Sequence, residues 1–218
     1  MKKISLFVLA LSVGTALVAQ ELRTPMAVKT RFGLKGGLNV AYFNVSDYPA
    51  GGSPEAEQKK SINGGFLVNI PIGGMFAIQP EVMYSEQGSK MAQTTTIGTV
   101  TTTQAWEQDL KYINVPVMLQ VKSPGGFFVE AGPQAGYLVS GKQIGPSNGE
   151  TENEDKFRKW DFSLGAGLGY LSRIGLGLNA RYNHGFSNVW DEDANMGNAE
   201  LNNRVIQVGL VYHFGAHK

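Results

Sequence analysis

WDFSLGAGLGYLSRIGLGLNARYNHGFSN, residues 160–188, separates into two lists when every second residue is taken. Trp160, Phe162, Leu164, Ala166, Leu168 and Tyr170 form one face, and Asp161, Ser163, Gly165, Gly167 and Gly169 form the other. After a short break at residues 171–173 the alternation resumes, with Ile174, Leu176, Leu178, Ala180 and Tyr182 opposite Gly175, Gly177, Asn179, Arg181 and Asn183. Side chains alternate across a β-strand, so this period belongs to two consecutive antiparallel strands and not to a helix. Each run exceeds the usual globular strand of about 5–6 residues. One face is large and apolar, the other small or polar, and each run ends in an aromatic. Strands with lipid outside and a narrow lumen inside are composed in this way.

The remaining composition narrows the class. A chain of 218 residues with 42% hydrophobic content allows one substantial domain. Its formal net charge of +1 supplies no global field toward acidic substrates, and no nucleic-acid partner is expected. Cysteine is absent, which excludes disulfides, thiolate metal sites, Cys nucleophiles and a lipid anchor on an N-terminal Cys. Lys2 and Lys3 precede an apolar run over residues 4–18 that closes on Ala16 and Ala19, the pattern of a secretory signal peptide. The run is shorter than the roughly 20 residues of a spanning helix, and no later segment reaches that length. An exported chain with no helical span can live inside a bilayer only as a closed barrel. The expected organisation is a signal peptide at 1–19, a periplasmic lead-in at 20–30 and an outer-membrane β-barrel domain at 31–218.

Eight strands are expected, an all-β, antiparallel, up-and-down transmembrane barrel. They cover residues 31–44, 61–71, 75–86, 106–122, a stretch from Phe127 to about Val139, 160–170, a stretch from Ile174, and 203–214. The connections after the second, fourth and sixth are short: PIGG at 71–74, SPGG at 123–126 and LSR at 171–173. Those after the first, third, fifth and seventh are long, at 46–60, 87–105 (a Thr-rich loop or strand extension), 141–159 and 188–202. Short periplasmic turns alternating with long extracellular loops, on an even number of strands, are the rule of outer-membrane barrels. Phe32, Phe76, Phe127, Tyr170, Tyr212 and Phe214 gather toward the periplasmic ends, and Tyr42, Tyr84, Trp160, Phe186 and Trp190 toward the outer ends. These are read as two aromatic belts at the bilayer interfaces. Pro80, Pro116 and Pro133 lie inside strands, where each is expected to mark a bulge or kink.

Lys35, Glu81, Glu130, Asp161 and Arg181 are the ionisable inward positions. An eight-stranded barrel has a lumen just wide enough for its side chains, so Lys35, Glu81, Glu130 and Arg181 are expected to pair as a plug rather than line a solvated channel. Gly165, Gly167 and Gly169 lack the helix and the downstream acid of a dinucleotide fingerprint, and are read as small lumen residues. Asp191, Asp193 and Asn195 begin like a calcium loop, but Gly197 falls one place late and Asn202 holds the twelfth position; a solvated acidic loop is expected. His184 faces outward while Ser187 lies on the opposite face, which does not make a nucleophile–base pair. No catalytic, cofactor or metal site is therefore expected.

Several segments in fixed order carry a family resemblance: IQPEVMYSEQG (78–88), KYINVPVMLQVK (111–122), FFVEAGPQAGYLVSG (127–141), DFSLGAGLGY (161–170), NARYNHGFSNV (179–189) and IQVGLVYHF (206–214). Over residues 32–214 the chain resembles the PorT-like outer-membrane β-barrel family. The resemblance implies an eight-stranded barrel in the outer membrane and, in some members, a role in protein secretion. The function expected is non-enzymatic, structural or interacting through extracellular loops or the periplasmic rim. The alternatives are a small-solute porin and an outer-leaflet lipid-modifying enzyme. Expected partners are outer-membrane lipid, lipopolysaccharide and envelope or secretion proteins, with the barrel itself a monomer.

Overall fold

The computed structural model describes residues 29–46, 55–97, 99–145, 149–152, 157–190 and 200–215. The strands, in chain order, are β1 (Arg31–Ser46), β2 (Glu55–Glu57), β3 (Lys59–Gly73), β4 (Phe76–Ile97), β5 (Val100–Lys122), β6 (Phe127–Gly145), β7 (Gly149–Glu152), β8 (Trp160–Leu171), β9 (Leu176–Asn188) and β10 (Glu200–His213). Eight of them close a ring in the order β1-β3-β4-β5-β6-β8-β9-β10, and β10 pairs back onto β1. Every pairing is antiparallel. The two short strands add to the outer ends of longer ones, β2 on β4 and β7 on β6. A ring leaves no open edge in hydrocarbon, where an unpaired N–H or C=O costs several kcal/mol.

The period of two fixes which way each side chain points. Along β6, Phe128, Glu130, Gln134 and Leu138 are buried while Phe127, Val129 and Val139 are exposed. Along β8, Phe162, Leu164 and Leu168 are exposed while Asp161 and Ser163 are buried. The exposed set is the apolar one, inverted from a water-soluble protein. Where β1 meets β10, Gly37 faces Gly209, and a Cβ on either would run into the backbone of the other strand. The closing seam is therefore tighter than side chains would allow.

Two features depart from the sequence reading, and another decides between its alternatives. First, Pro80, Pro116 and Pro133 carry no bulge. Between β4 and β5 the same register holds from Pro80↔Val117 to Met83↔Asn114, with the rungs around Pro116 absent. Between β5 and β6 it holds from Pro116↔Gln134 to Leu119↔Ala131, with the rungs around Pro133 absent. Proline's fixed φ fits an extended chain, so each lost N–H removes pairing without inserting a residue. The actual register shifts sit at the ends of the wall, at Pro71/Gly73, Lys111/Tyr112 and Asn202/Arg204.

Second, of the two readings of 87–105, loop or strand extension, the described residues take the strand extension. β4 and β5 remain paired from Tyr84↔Ile113 to Ile97↔Val100. At about 3.4 Å per residue the ribbon continues on the order of 40 Å beyond that aromatic level. Third, β9 begins at Leu176 and not at Ile174. Ser172 N donates to Leu176 O at 2.9 Å and Gly175 N to Ser172 O at 3.0 Å, with Gly175 at φ +84°, so the turn takes up residue 174. The expected signal peptide at 1–19 lies outside the described residues.

The outward set makes a direct prediction. Leu164, 50% exposed on β8, faces hydrocarbon near mid-strand, between Trp160 and Tyr170. Leu164→Arg should lower unfolding free energy by about 2–4 kcal/mol, and Leu164→Ile should leave it nearly unchanged. Urea titration of vesicle-inserted protein, followed by tryptophan fluorescence, reads both.

Candidate functional site

Four strands contribute one charged residue each to a layer across the lumen: Lys35 from β1, Glu81 from β4, Glu130 from β6 and Arg181 from β9. In ring order these are alternate strands, so Arg181 and Glu81 face one another across the barrel. Arg181 binds Glu81 through both ends of its fork: Nη1 donates to Oε2 at 2.9 Å and Nη2 to Oε1 at 2.7 Å. Its Nε donates to Glu130 Oε1 at 2.8 Å, and Nη2 lies 2.7 Å from the same oxygen. Lys35 Nζ sits 3.6 Å from Glu81 and 3.9 Å from Glu130. Two cations and two carboxylates, all at most 6% exposed, make the layer neutral. Neutrality and bidentate geometry are what allow buried charge in a low-dielectric interior.

Amides tie the layer to its surroundings. Gln79 Nε2 donates to Glu81 Oε1 at 2.9 Å, and Gln120 Nε2 to Glu130 Oε2 at 2.9 Å. Asn69 Nδ2 donates to both glutamine carbonyls at 2.9 Å, and Lys122 Nζ donates to Asn69 Oδ1 at 2.5 Å. On the outer side, Asn63 and Gln207 donate to Asn39 Oδ1 at 2.6 and 3.1 Å, while Asn39 Nδ2 donates to Ser85 Oγ at 3.0 Å. The glycines of β8 make room for this packing: a Cβ on Gly167 would lie 3.2 Å from Glu130 Oε1, and one on Gly165 3.5 Å from Arg181 Cδ. Below the layer remains a cavity of about 10 Å³ bordered by Lys35, Gln120, Glu130, Asn179 and His213, room for about one water.

Asp161 points inward but does not join the four. Its Oδ2 accepts from Asn203 Nδ2 at 3.2 Å, nearer the outer mouth. Of the expected belt residues, Phe32, Phe76, Phe127, Tyr170 and Phe214 are exposed at the periplasmic end, with Tyr212 half-buried beside Phe214. Tyr84, Trp160 and Phe186 are exposed toward the outer end, and Tyr42 is half-buried. Trp190 is the correction: it is buried, and its ring stacks on Phe157 at 5.2 Å between centroids.

That pair belongs to a feature the sequence reading missed. Phe43, Met91, Leu110, Tyr112, Leu138, Phe157, Val189, Trp190 and Leu201 form one buried apolar cluster above the polar layers. The chain reaches it by folding inward past the ladder: Leu138 N donates to Lys159 O at 2.8 Å, Arg158 N to Val189 O at 2.9 Å and Val189 N to Leu201 O at 2.8 Å. Asn188 Oδ1 accepts from Trp190 N and Leu201 N and so holds the bend. A signal existed, since the inward parity of β1 changes from Lys35 and Asn39 to Ala41, Phe43 and Val45 as the strand rises. Beside the cluster, Lys59 pairs with Asp109 at 2.8 Å and Glu107 at 3.1 Å, a second charged group not foreseen.

Of the remaining motifs, the structure describes His184 and Ser187. His184 lies among the rings of Tyr182 and Phe186, and Ser187 Oγ accepts a hydrogen bond from Phe162 N at 2.8 Å. Asp191, Asp193 and Asn195 lie outside the described residues. Among the described residues no group of three His, Cys, Asp or Glu side chains could hold a metal ion.

A closed ring of eight antiparallel strands, apolar outside and charge-paired inside, defines a transmembrane β-barrel. The chain belongs to the outer membrane protein beta-barrel domain family, which matches residues 18–191, and it is a protein of the outer membrane. Among solved structures it is similar to Ail, the attachment invasion locus protein of Yersinia pestis, at 12% identity and a TM-score of 0.47, covering 85% of this chain and 99% of that one. Neisserial surface protein A matches at 12% identity and 0.48, covering 84% and 97%. OprG from Pseudomonas aeruginosa matches at 10% identity and 0.47, covering 88% and 98%. No curated protein matches the chain.

The charged layer predicts an asymmetry between breaking and replacing it. Arg181→Ala leaves Glu81 and Glu130 buried with only Lys35 beside them and should cost about 3–5 kcal/mol. Exchanging all four for apolar or amide residues of similar size should recover most of that loss. Unfolding titrations of both variants in vesicles compare them.

Proposed function

We propose that this protein is a non-enzymatic outer-membrane barrel with a sealed lumen, acting through surfaces outside the hydrocarbon rather than through a pore. The observation that carries the reading is the double obstruction of the lumen. The Lys35–Glu81–Glu130–Arg181 layer fills its middle, and the apolar cluster around Tyr112 and Trp190 covers it from outside. Either obstruction alone would narrow a channel; in this reading the two together close the path between the mouths. Ser187's engagement with backbone and the aromatic packing of His184 support a non-enzymatic role.

The surfaces left for work are the β4–β5 ribbon and the periplasmic rim. The ribbon's upper strands are rich in threonine and free of charge over residues 93–106, suited to contact with envelope partners. Lipopolysaccharide and other envelope proteins are the partners this reading names. The PorT-like resemblance adds secretion components to that class. A closed ring, with no edge to share inside the membrane, supports a monomer.

Planar bilayer recording tests the sealed lumen. The purified protein should insert without steady conductance, while Tyr112→Ala combined with Arg181→Ala and Glu81→Ala should give stepwise openings. Steady nanosiemens-scale current from the unmodified protein would overturn the reading in favour of a small-solute porin.

A further inference from the structure

The periplasmic mouth holds a hollow that neither the plug nor the family explains. It measures about 460 Å³ and lies between the start of β1, the β3–β4 turn and the β5–β6 turn. Its lining combines Lys29, Arg31 and Lys122 with Asn69, Met75 and Phe76, and includes no carboxylate. Arg31 and Lys122 stand on the inward parity of their strands, and Lys122 uses one of its three donors on Asn69. The nearest acids on that side, Glu81 and Glu130, are already bound by Arg181 deeper in the lumen. Among the described residues, positive charge therefore meets the hollow with no carboxylate in its lining.

The opposite wall has another chemistry. Met75 and Phe76 are 53% and 46% exposed; Phe76 stands on the outward parity of β4, toward lipid, and Met75 ends the turn just before it. A backbone hydrogen bond from Lys122 N to Met75 O, 2.8 Å, fixes the cationic side against the apolar one. Because one hollow touches both lumen-facing and lipid-facing residues, it opens over the rim of the barrel. Its height is that of the exposed rings Phe32, Phe127 and Phe214, which mark the interfacial level where headgroups lie.

From this juxtaposition we propose that the hollow is a binding site for an acidic phospholipid of the periplasmic leaflet. The headgroup phosphate sits on Lys29, Arg31 and Lys122, and the glycerol and first acyl carbons lie along Met75 and Phe76. A free phosphate ion would use the cationic wall alone. A lipid uses both walls, and its chains run on into the bilayer beside Phe76. The site does not depend on the lumen being closed, so it stands or falls apart from the proposed function.

The test is titration of the full-length protein, in a neutral detergent, with fluorescent phosphatidylglycerol, fluorescent phosphatidylcholine and inorganic phosphate as competitor. Each cation near an anionic headgroup strengthens binding by roughly five-fold, so phosphatidylglycerol should bind about ten-fold or more tighter than phosphatidylcholine. Lys29→Gln with Arg31→Gln should bring the two lipids close to parity. Met75→Asn should weaken both lipids together and leave their ratio unchanged. Lys29 precedes the barrel wall and Met75 lies in a turn, so Lys29→Gln and Met75→Asn alone provide a readout if the double variant fails to fold, which its heat-dependent gel migration reports. Equal binding of the two lipids by the unmodified protein would overturn the proposal. Displacement of phosphatidylglycerol by equimolar inorganic phosphate would overturn it as well, by assigning the hollow to a free anion.

Discussion

One guanidinium holds two carboxylates in the middle of this barrel, and the rest of the lumen is arranged around that contact. Arg181 reaches Glu81 and Glu130 at once because its planar fork presents donors in two directions, which a lysine at the same place could not do. Burying the acids without it would cost several kcal/mol each. With Lys35 alongside, the layer carries no net charge, and Gln79 and Gln120 each donate to one of its carboxylates. The hydrocarbon outside then meets a wall whose interior is electrically quiet.

The charged layer also explains where the small residues go. Alternate strands deliver the long charged side chains, and the strands between them supply amides or glycines. β8 lies between β6 and β9, which carry Glu130 and Arg181, and its Gly165 and Gly167 leave the volume those two side chains fill. Higher up, where strands leave the membrane, the interior changes from polar to apolar and the chain turns inward to stack Phe157 on Trp190. At the other end none of the described residues folds inward. The two mouths are thus unlike among the described residues: one capped by rings, the other lined by Arg31 and Lys122.

Much of this was legible because a strand's period is two and a membrane allows only one meaning for the apolar face. Alternation in residues 160–188 sets the direction of Leu168 and Arg181, and the short PIGG, SPGG and LSR turns set the strand count. What stayed hidden lies where that logic stops. Trp190 is read as a belt residue from its place at the outer end, but β9 ends at Asn188, and past the ladder no parity says whether a ring turns toward lipid or inward. The Thr-rich hairpin showed no polarity alternation because water touches both its faces. The prolines were expected to displace register, yet an extended chain accepts them with only a lost rung. The ionisable lumen positions could be named, but not Asp161's separate bond to Asn203: which inward residues share a height depends on the stagger between strands, and one sequence does not carry that stagger.

The alternate-strand origin of the central layer has a consequence for how the barrel comes into being. Glu81, Glu130 and Arg181 come from β4, β6 and β9, three separate strands of the ring. A sheet that lacks β9 carries two acids against a single lysine, and one that lacks β4 or β6 leaves Arg181 short of a carboxylate; either is poorly matched to oil. Whatever the order of assembly, the charges balance only in the finished cylinder, so the same contact that silences the interior also ties membrane entry to completion of the ring.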